Sequence, residues 1–148
     1  MAAAHHCRIT QAIGIAMLNA LVDDCDVGSP PGKLIIYTGA EPATADTAAA
    51  TEVATCVLPN PAFGAAATHG TDDCQAALSS TATCATATGN ASAVTHFRLT
   101  RNNGTTVQLQ GTCSATAGDD LVLNSATIAT GSQVDITALT VSLPYNQA

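Results

Sequence analysis

At three places, the 148-residue chain groups histidine, acidic or cysteine side chains that could bind a metal ion. His5-His6-Cys7 has metal-binding residue types, but adjacent residues rarely chelate one ion together, and no second ligand pair follows at zinc spacing. His69 with Asp72-Asp73-Cys74 is a denser group, which could hold a cation on a turn. Gly118-Asp119-Asp120 lacks the spaced oxygen ligands of a calcium loop. We therefore expect a flexible N-terminal arm and two polar loops, with no metal and no cofactor.

A hydrolytic site would need a serine or cysteine nucleophile, a base and a group that orients the base. His69 and His96 could act as bases. No GxSxG elbow, glycine-rich phosphate loop or convincing pair of carboxylates accompanies them. His96 also falls inside a predicted strand beside Phe97, which is typical of a structural histidine. The sequence predicts that the chain is not an enzyme and has no catalytic residue.

Six cysteines are spread along the chain without a CxxC pair. Their even number is compatible with disulfides, and the most plausible local pairs are Cys7–Cys25 and Cys74–Cys84. The alternative is that they are small buried hydrophobic residues, because several, such as Cys56, stand where Ala or Val would serve. A chain without a signal peptide would also fold first in a reducing compartment.

The charge of the chain excludes several classes of partner. Four Lys and Arg residues stand against eleven acids, for a formal net charge of −7. The basic footprint of a nucleic-acid binder is missing, and so is basic attachment to a membrane. Charged residues make up only 10% of the chain, so Thr, Ser, Asn and Gln must cover much of its surface. This composition is typical of a protein that is secreted, virion-borne or exposed in many copies.

The core must be built mainly from Ala, Val, Ile and Leu, because the chain has no Trp, two Phe and two Tyr. Each small side chain buries little apolar area and therefore contributes little to stability, since burial contributes about 25 cal/mol per Å². Association with further subunits would bury more apolar surface. The composition therefore favours a homo-oligomer.

Residues 8–24 are predicted to form the one convincing helix. Thr10 is a candidate N-cap, and the alternative is that Arg8 and Ile9 are already helical. The apolar run Ile9–Val22 lacks a basic leader and a cleavage site and is too polar to span a bilayer, so neither a signal peptide nor a membrane span is expected. Apolar residues at helical spacing predict one buried stripe. The stripe comprises Ile9, Ile13, Ala16, Met17, Ala20 and Leu21.

The rest of the chain has the patterns of short strands. Asn102-Asn103-Gly104 predicts a type I′ turn between two strands, because Asn-Gly suits its two positive-φ positions. Gln133–Leu143 alternates as one strand with a break at Ala138, which could be a bulge. The other predicted strands are 33–38, 52–58, 62–67, one or two within 74–88, 93–101, 105–113 and 121–123.

Seven or eight short strands with regular turn signals predict a mainly β chain folded as a single-domain antiparallel β-sandwich or jelly-roll with one N-terminal α-helix. Residues 1–32 would form the N-terminal arm and helix, and residues 33–148 the sandwich domain.

Several segments carry a resemblance to a known group of proteins. Residues 33–50 read KLIIYTGAEPATADTAAA, and the segment Ala62–Ala66 reads AFGAA. Later matching segments are Ala93–Val107, Asp120–Gly131 and Val134–Pro144. Together they resemble small β-rich virion proteins of tailed bacteriophages, over most of the chain after residue 10. The pattern is specific but contains no chemical motif, so it implies location more than mechanism.

The resemblance implies a capsid decoration or cement protein that binds the outside of the shell, with the major capsid protein and sister subunits as partners. Such a protein is made in the cytoplasm of the host bacterium and ends up on the virion surface. The N-terminal helix, the loop 40–51 and the polar C-terminal tail could make the contacts. The alternative is a tail or head-fibre adhesin domain that binds host surface glycans, for which Tyr37 and Tyr145 are the only candidate aromatic residues.

Overall fold

The N-terminal helix begins and ends close to the predicted positions. In a computed structural model, which describes residues 8–145, helix α1 spans Gln11–Asp23, and a short 3₁₀ turn follows at Asp24–Asp26. The side chain of Thr10 accepts a hydrogen bond from the backbone N–H of Ile13 at 3.4 Å, as an N-cap residue does. The predicted helix and its cap are confirmed.

The buried face of α1 differs from the predicted one. Gly14, Leu18 and Val22 are buried, whereas Ile13 and Met17 are 50% and 51% exposed. The predicted stripe through Ile13 and Met17 is therefore wrong. Apolar spacing could not select the buried side, because residues 11–22 are apolar on both sides of the helix and carry no charge.

Within residues 8–145, ten strands follow the helix and form two sheets. They are β1 Lys33–Thr38, β2 Thr51–Val57, β3 Ala67–His69, β4 Asp73–Ala77, β5 Ala82–Cys84, β6 His96–Thr100, β7 Val107–Ser114, β8 Leu121–Val122, β9 Val134–Ile136 and β10 Thr140–Pro144. The first sheet has seven strands in the order β8-β7-β6-β1-β2-β5-β9, and the second has three in the order β10-β4-β3. The chain is therefore mainly β with one N-terminal α-helix, as predicted.

Strand pairing departs from the predictions at two places. β7 and β8 run parallel, with Cys113 opposite Leu121, whereas every other strand pair in the two sheets is antiparallel. The single strand predicted over 133–143 is divided between β9, in the seven-stranded sheet, and β10, in the three-stranded sheet. The break predicted at Ala138 is thus a passage between sheets instead of a bulge.

The β6–β7 hairpin is confirmed, but its predicted turn type is wrong. A type I′ turn needs positive φ at two successive residues. No described residue other than glycine has positive φ, and in this turn only Gly104 does, at 72°. The Asn103 side chain instead stabilises a wider turn by accepting hydrogen bonds from the N–H groups of Thr105 and Thr106, both at 2.9 Å.

One core cluster joins the helix to both sheets. Leu18 and Val22 of α1 pack in the same cluster as Leu34 and Phe97 of the central strands. The helix also contacts β3, β4 and β10. Its C-terminal end is tied to the β6–β7 turn, because Arg101 donates to both carboxylate oxygens of Asp24, at 2.7 and 2.5 Å. The division into residues 1–32 and 33–148 stays a prediction.

Candidate functional site

The histidine and acidic residues predicted on the β3–β4 turn do not converge on a metal site. Nδ1 of His69 lies 3.1 and 3.2 Å from the two carboxylate oxygens of Asp73. Cys74 is fully buried, and its thiol donates to the carbonyl of Leu143 at 3.5 Å. Among residues 8–145, no group of three or more His, Cys, Asp or Glu side chains could hold a metal ion. His5, His6 and Cys7 lie outside the described residues.

The acids near Gly118 have a structural partner. A carboxylate oxygen of Asp120 accepts from the backbone N–H and the hydroxyl of Thr112, at 2.8 and 2.9 Å. The backbone N–H of Asp120 in turn donates to the Thr112 hydroxyl at 3.0 Å. These contacts tie the loop after β7 back to β7 just before β8 begins, so Asp120 serves the parallel pairing of β7 and β8.

The cysteines of the described chain are free thiols in the interior. Cys25, Cys56, Cys74, Cys84 and Cys113 are all buried and unpaired. The Cys74–Cys84 disulfide considered from the sequence is therefore absent, and Cys7 of the other pair lies outside residues 8–145. Burial is the main cause that raises the pKa values of Cys25, Cys56 and Cys113 to about 12. A thiol with so high a pKa is a poor nucleophile at neutral pH.

His96 lies in a polar cluster on the sheet face opposite the main core. It is fully buried on β6, and its ring stacks on Tyr37 of β1. The Thr95 hydroxyl donates to the carbonyl of Gly39 at 2.7 Å, so it accepts from Nδ1 of His96, 2.9 Å away. Nε2 of His96 has no hydrogen-bond partner among the described residues. In the neutral ring, Nδ1 therefore carries the hydrogen and Nε2 is the acceptor.

The pKa of His96 is lowered from its usual value, chiefly by burial. The charge of Glu41 opposes this shift, and that of Arg98 adds to it. A neutral imidazole can act as a base, but within residues 8–145 its free nitrogen is shielded from solvent and faces no hydrogen-bonding nucleophile. This arrangement suits a structural histidine, as expected from its position in a strand.

Residues 39–50, here called the cover segment, shield this cluster. Arg98 donates through Nη2 to the carbonyl of Thr47 at 2.6 Å and through Nε and Nη2 to Oε1 of Gln110, at 3.0 and 2.7 Å. The amide of Gln110 then donates to the carbonyl of Pro42 at 2.9 Å and to Glu41 at 3.1 Å. A buried arginine thus fastens an otherwise exposed loop, which explains why both faces of β1 and β6 are buried.

Sequence reasoning missed the role of Arg98 and Gln110. One signal was present: His96 and Arg98 alternate with Phe97 and Leu99 along β6, which places the polar pair on one face and the apolar pair on the other. The loop that covers the polar face could not be inferred, because Arg98 contacts a backbone carbonyl of that loop.

The two tyrosines considered for glycan binding both pack within the chain. Tyr37 is 8% exposed and is stacked on His96. Tyr145 is partly buried against α1, where a Cβ added to Gly14 would lie 3.1 Å from its Cβ and Cδ1 atoms. Neither ring stands free as a platform for stacking a sugar.

The outward side of α1 is an exposed apolar surface. Ile13 and Met17 are two of the five large hydrophobic residues that are exposed within residues 8–145; Val27, Val57 and Val122 are the others. Ala12, Ala16 and Ala20 are exposed on the same side of the helix. We call Ala12, Ile13, Ala16, Met17 and Ala20 together the α1 outer face. A helix that is apolar on both sides is normally buried on both, so this face has the character of a contact surface.

No helix among residues 8–145 has the length and apolar character needed to cross a membrane. No protein family matches the chain, and no curated protein or solved structure is significantly similar to it.

Proposed function

We propose that the chain is a structural protein of a tailed-bacteriophage virion, a decoration or cement protein that binds the outside of the capsid shell. It is made in the cytoplasm of the host bacterium, bridges subunits of the major capsid protein and acts as a homo-oligomer, with a trimer as the expected form. The two sheets would stack as a sandwich or jelly-roll, and the protein would have no enzymatic activity.

The observation that carries a packing role is the α1 outer face, which exposes apolar side chains on a helix without charges between Gln11 and Val22. The assignment to a virion is supported by the resemblance of Lys33–Ala50 and the later segments to phage virion proteins. Two of the four basic residues, Arg98 and Arg101, make contacts within the chain, which agrees with partners other than nucleic acid.

The proposed mechanism is stabilisation by mass action. A protein that binds the assembled shell and not its free subunits shifts the equilibrium toward the intact particle. The α1 outer face and the exposed cover segment are the surfaces that we propose for contact with capsid subunits or sister copies.

Electron microscopy of purified particles tests this proposal. The expected result is density for the chain at symmetric positions on the outer shell, and loss of the protein should lower the temperature at which particles release their genome. Density restricted to the tail, or absence of the chain from the virion, would refute it.

An adhesin that binds host glycans is the alternative function. The packing of Tyr37 and Tyr145 does not favour it. Binding of the isolated protein to a glycan array, with loss of binding in Tyr145→Ala, would support the adhesin over the decoration protein.

A further inference from the structure

We propose that the α1 outer face is a contact surface between two copies of this chain, which pack their helices antiparallel about a two-fold axis near Ala16. This inference rests on the homo-oligomer of the proposed function and deepens it, because it assigns the contact surface, its symmetry and its orientation. The contact can join two copies alone or link neighbouring oligomers.

The first reason to expect a second copy on the α1 outer face is charge. Each chain has a formal net charge of −7, so two copies repel each other over most of their surface. The α1 outer face contains no charged residue over Gln11–Val22. It is therefore a surface on which two such chains can meet without placing like charges together.

The charges at the two ends of the face determine the orientation. Arg8 is exposed just before the N-cap, and Asp23 is exposed at the last position of the helix. Neither takes part in the ion pairs of residues 8–145, which are His69–Asp73 and Arg101–Asp24. Arg8 and Asp23 lie almost equally far from Ala16 along the chain.

An antiparallel pair centred on Ala16 thus brings Arg8 of each copy toward Asp23 of the other. The two-fold symmetry produces two such Arg8–Asp23 pairs. A parallel pair would instead oppose Arg8 to Arg8 and Asp23 to Asp23. The helix dipoles favour the same choice, since the negative C-terminal end of each helix then lies beside the positive N-terminal end of the other. A contact about a two-fold axis requires a surface that is complementary to itself, and the α1 outer face meets this requirement.

The side chains on the face suit close packing of helices. Ala12, Ala16 and Ala20 leave shallow positions, and Ile13 and Met17 project between them. One face of a single helix of this length is small beside a standard protein interface, so the contact should be concentration-dependent.

Sedimentation of the full chain over a concentration series, with a thiol reductant present, tests the proposal. We expect an even number of copies at high concentration and dissociation on dilution. Met17→Glu, which places like charges near the axis, should abolish the association, while circular dichroism shows an unchanged fold.

Charge exchange supplies the sharper test. Arg8→Glu and Asp23→Arg should each weaken the association about tenfold, because two symmetry-related pairs change together, and the double variant should restore it. Asp135→Arg is the matched control for Asp23→Arg. It makes the same charge change at an exposed acid on β9, outside both the α1 outer face and the cover segment, and should not weaken the association.

A mass that does not double between low and high concentration, or a double variant as weak as the single ones, would overturn the proposal. A monomer in which Met17 resists oxidation would indicate that residues 1–7 of the same chain cover the face, which also overturns it. Electron microscopy tests particle binding separately, because the capsid can also be contacted through the cover segment.

Discussion

Tyr37 and His96 lie face to face across β1 and β6, with their ring centroids 5.0 Å apart and their ring planes inclined by 8°. They are register partners in the sheet, and the guanidinium carbon of Arg98 lies 5.9 Å from the centroid of the Tyr37 ring. The cover segment and the neighbouring strands bury all three side chains. A positive charge on His96 would therefore be both desolvated and close to Arg98, and both effects lower the pKa of the ring.

The first prediction concerns acidification. Burial lowers the pKa of His96 below its usual value of 6.5 in the folded chain. On acidification, the unfolded chain therefore takes up a proton on His96 before the folded chain does. The stability contributed by His96 is fully present at a pH above the pKa of the unfolded state. It is lost progressively as the pH falls from that value toward the folded pKa.

Urea unfolding between about pH 7.5 and about pH 5.5 measures this loss. The fall in the free energy of unfolding should be smaller in His96→Phe, which keeps a ring against Tyr37 but cannot titrate. Equal pH dependence in wild type and His96→Phe would contradict the prediction.

The second prediction concerns the fastening of the cover segment. Arg98→Leu removes the donors to Thr47 and Gln110 and should cost about 1–3 kcal/mol, because hydrogen bonds from a buried charged group are lost. Amide hydrogen exchange should accelerate within residues 39–50. Arg101→Leu is the control, since Arg101 contacts Asp24 and not this segment. Unchanged exchange in Arg98→Leu would mean that other contacts hold the segment.

The third prediction concerns the close approach of β7 to the core. A Cβ on Gly111 would lie 2.7 Å from Cε1 of Phe97 and 3.1 Å from Cβ of Asp120. Gly111→Ala should therefore reduce the free energy of unfolding by about 1–3 kcal/mol through overpacking. Gly64→Ala, whose nearest neighbour atom would be 3.8 Å away, should change it by about 0.5 kcal/mol or less. Chemical denaturation of both variants distinguishes the two sites.

The features predicted correctly from the sequence depend on local chemistry. The Thr10 cap, the uninterrupted apolar strand β1 and the hairpin at Asn103-Gly104 are each determined by residues close together in the chain. The helix face was not predictable from its own residues, because apolar side chains occupy both sides. The buried side is selected by contacts with distant strands.

The features that the sequence did not reveal depend on contacts between distant segments. Nothing local assigns β9 and β10 to different sheets, because β9 pairs with β5 and β10 with β4. The cover segment is likewise held by Arg98 and Gln110, which lie 51 and 68 positions after the residues that they contact, Thr47 and Pro42. The alternation of polar and apolar residues along β6 places His96 and Arg98 on one face, but such alternation predicts an exposed polar face, so the burial of both faces was not predictable.

The last prediction concerns the chemical inertness of the cysteines. Cys25, Cys56 and Cys113 have pKa values raised to about 12, mainly by burial, and Cys74 and Cys84 are also enclosed. Alkylation needs a thiolate that the reagent can reach. Iodoacetamide should therefore modify none of these five thiols in the native protein at pH of about 8, and all five in denaturant without reductant.

Peptide mass mapping of both samples reports each cysteine separately, including Cys7. A Thr83→Cys variant is the positive control, because Thr83 is exposed on β5 beside the buried Cys84 and its replacement should react in the native state. Cysteines that stay unmodified even in denaturant would reveal a disulfide such as Cys74–Cys84. Rapid native alkylation of Cys56 would instead show that the β2–β5 pairing opens, because this thiol is enclosed beside β9, where it donates to the carbonyl of Val134.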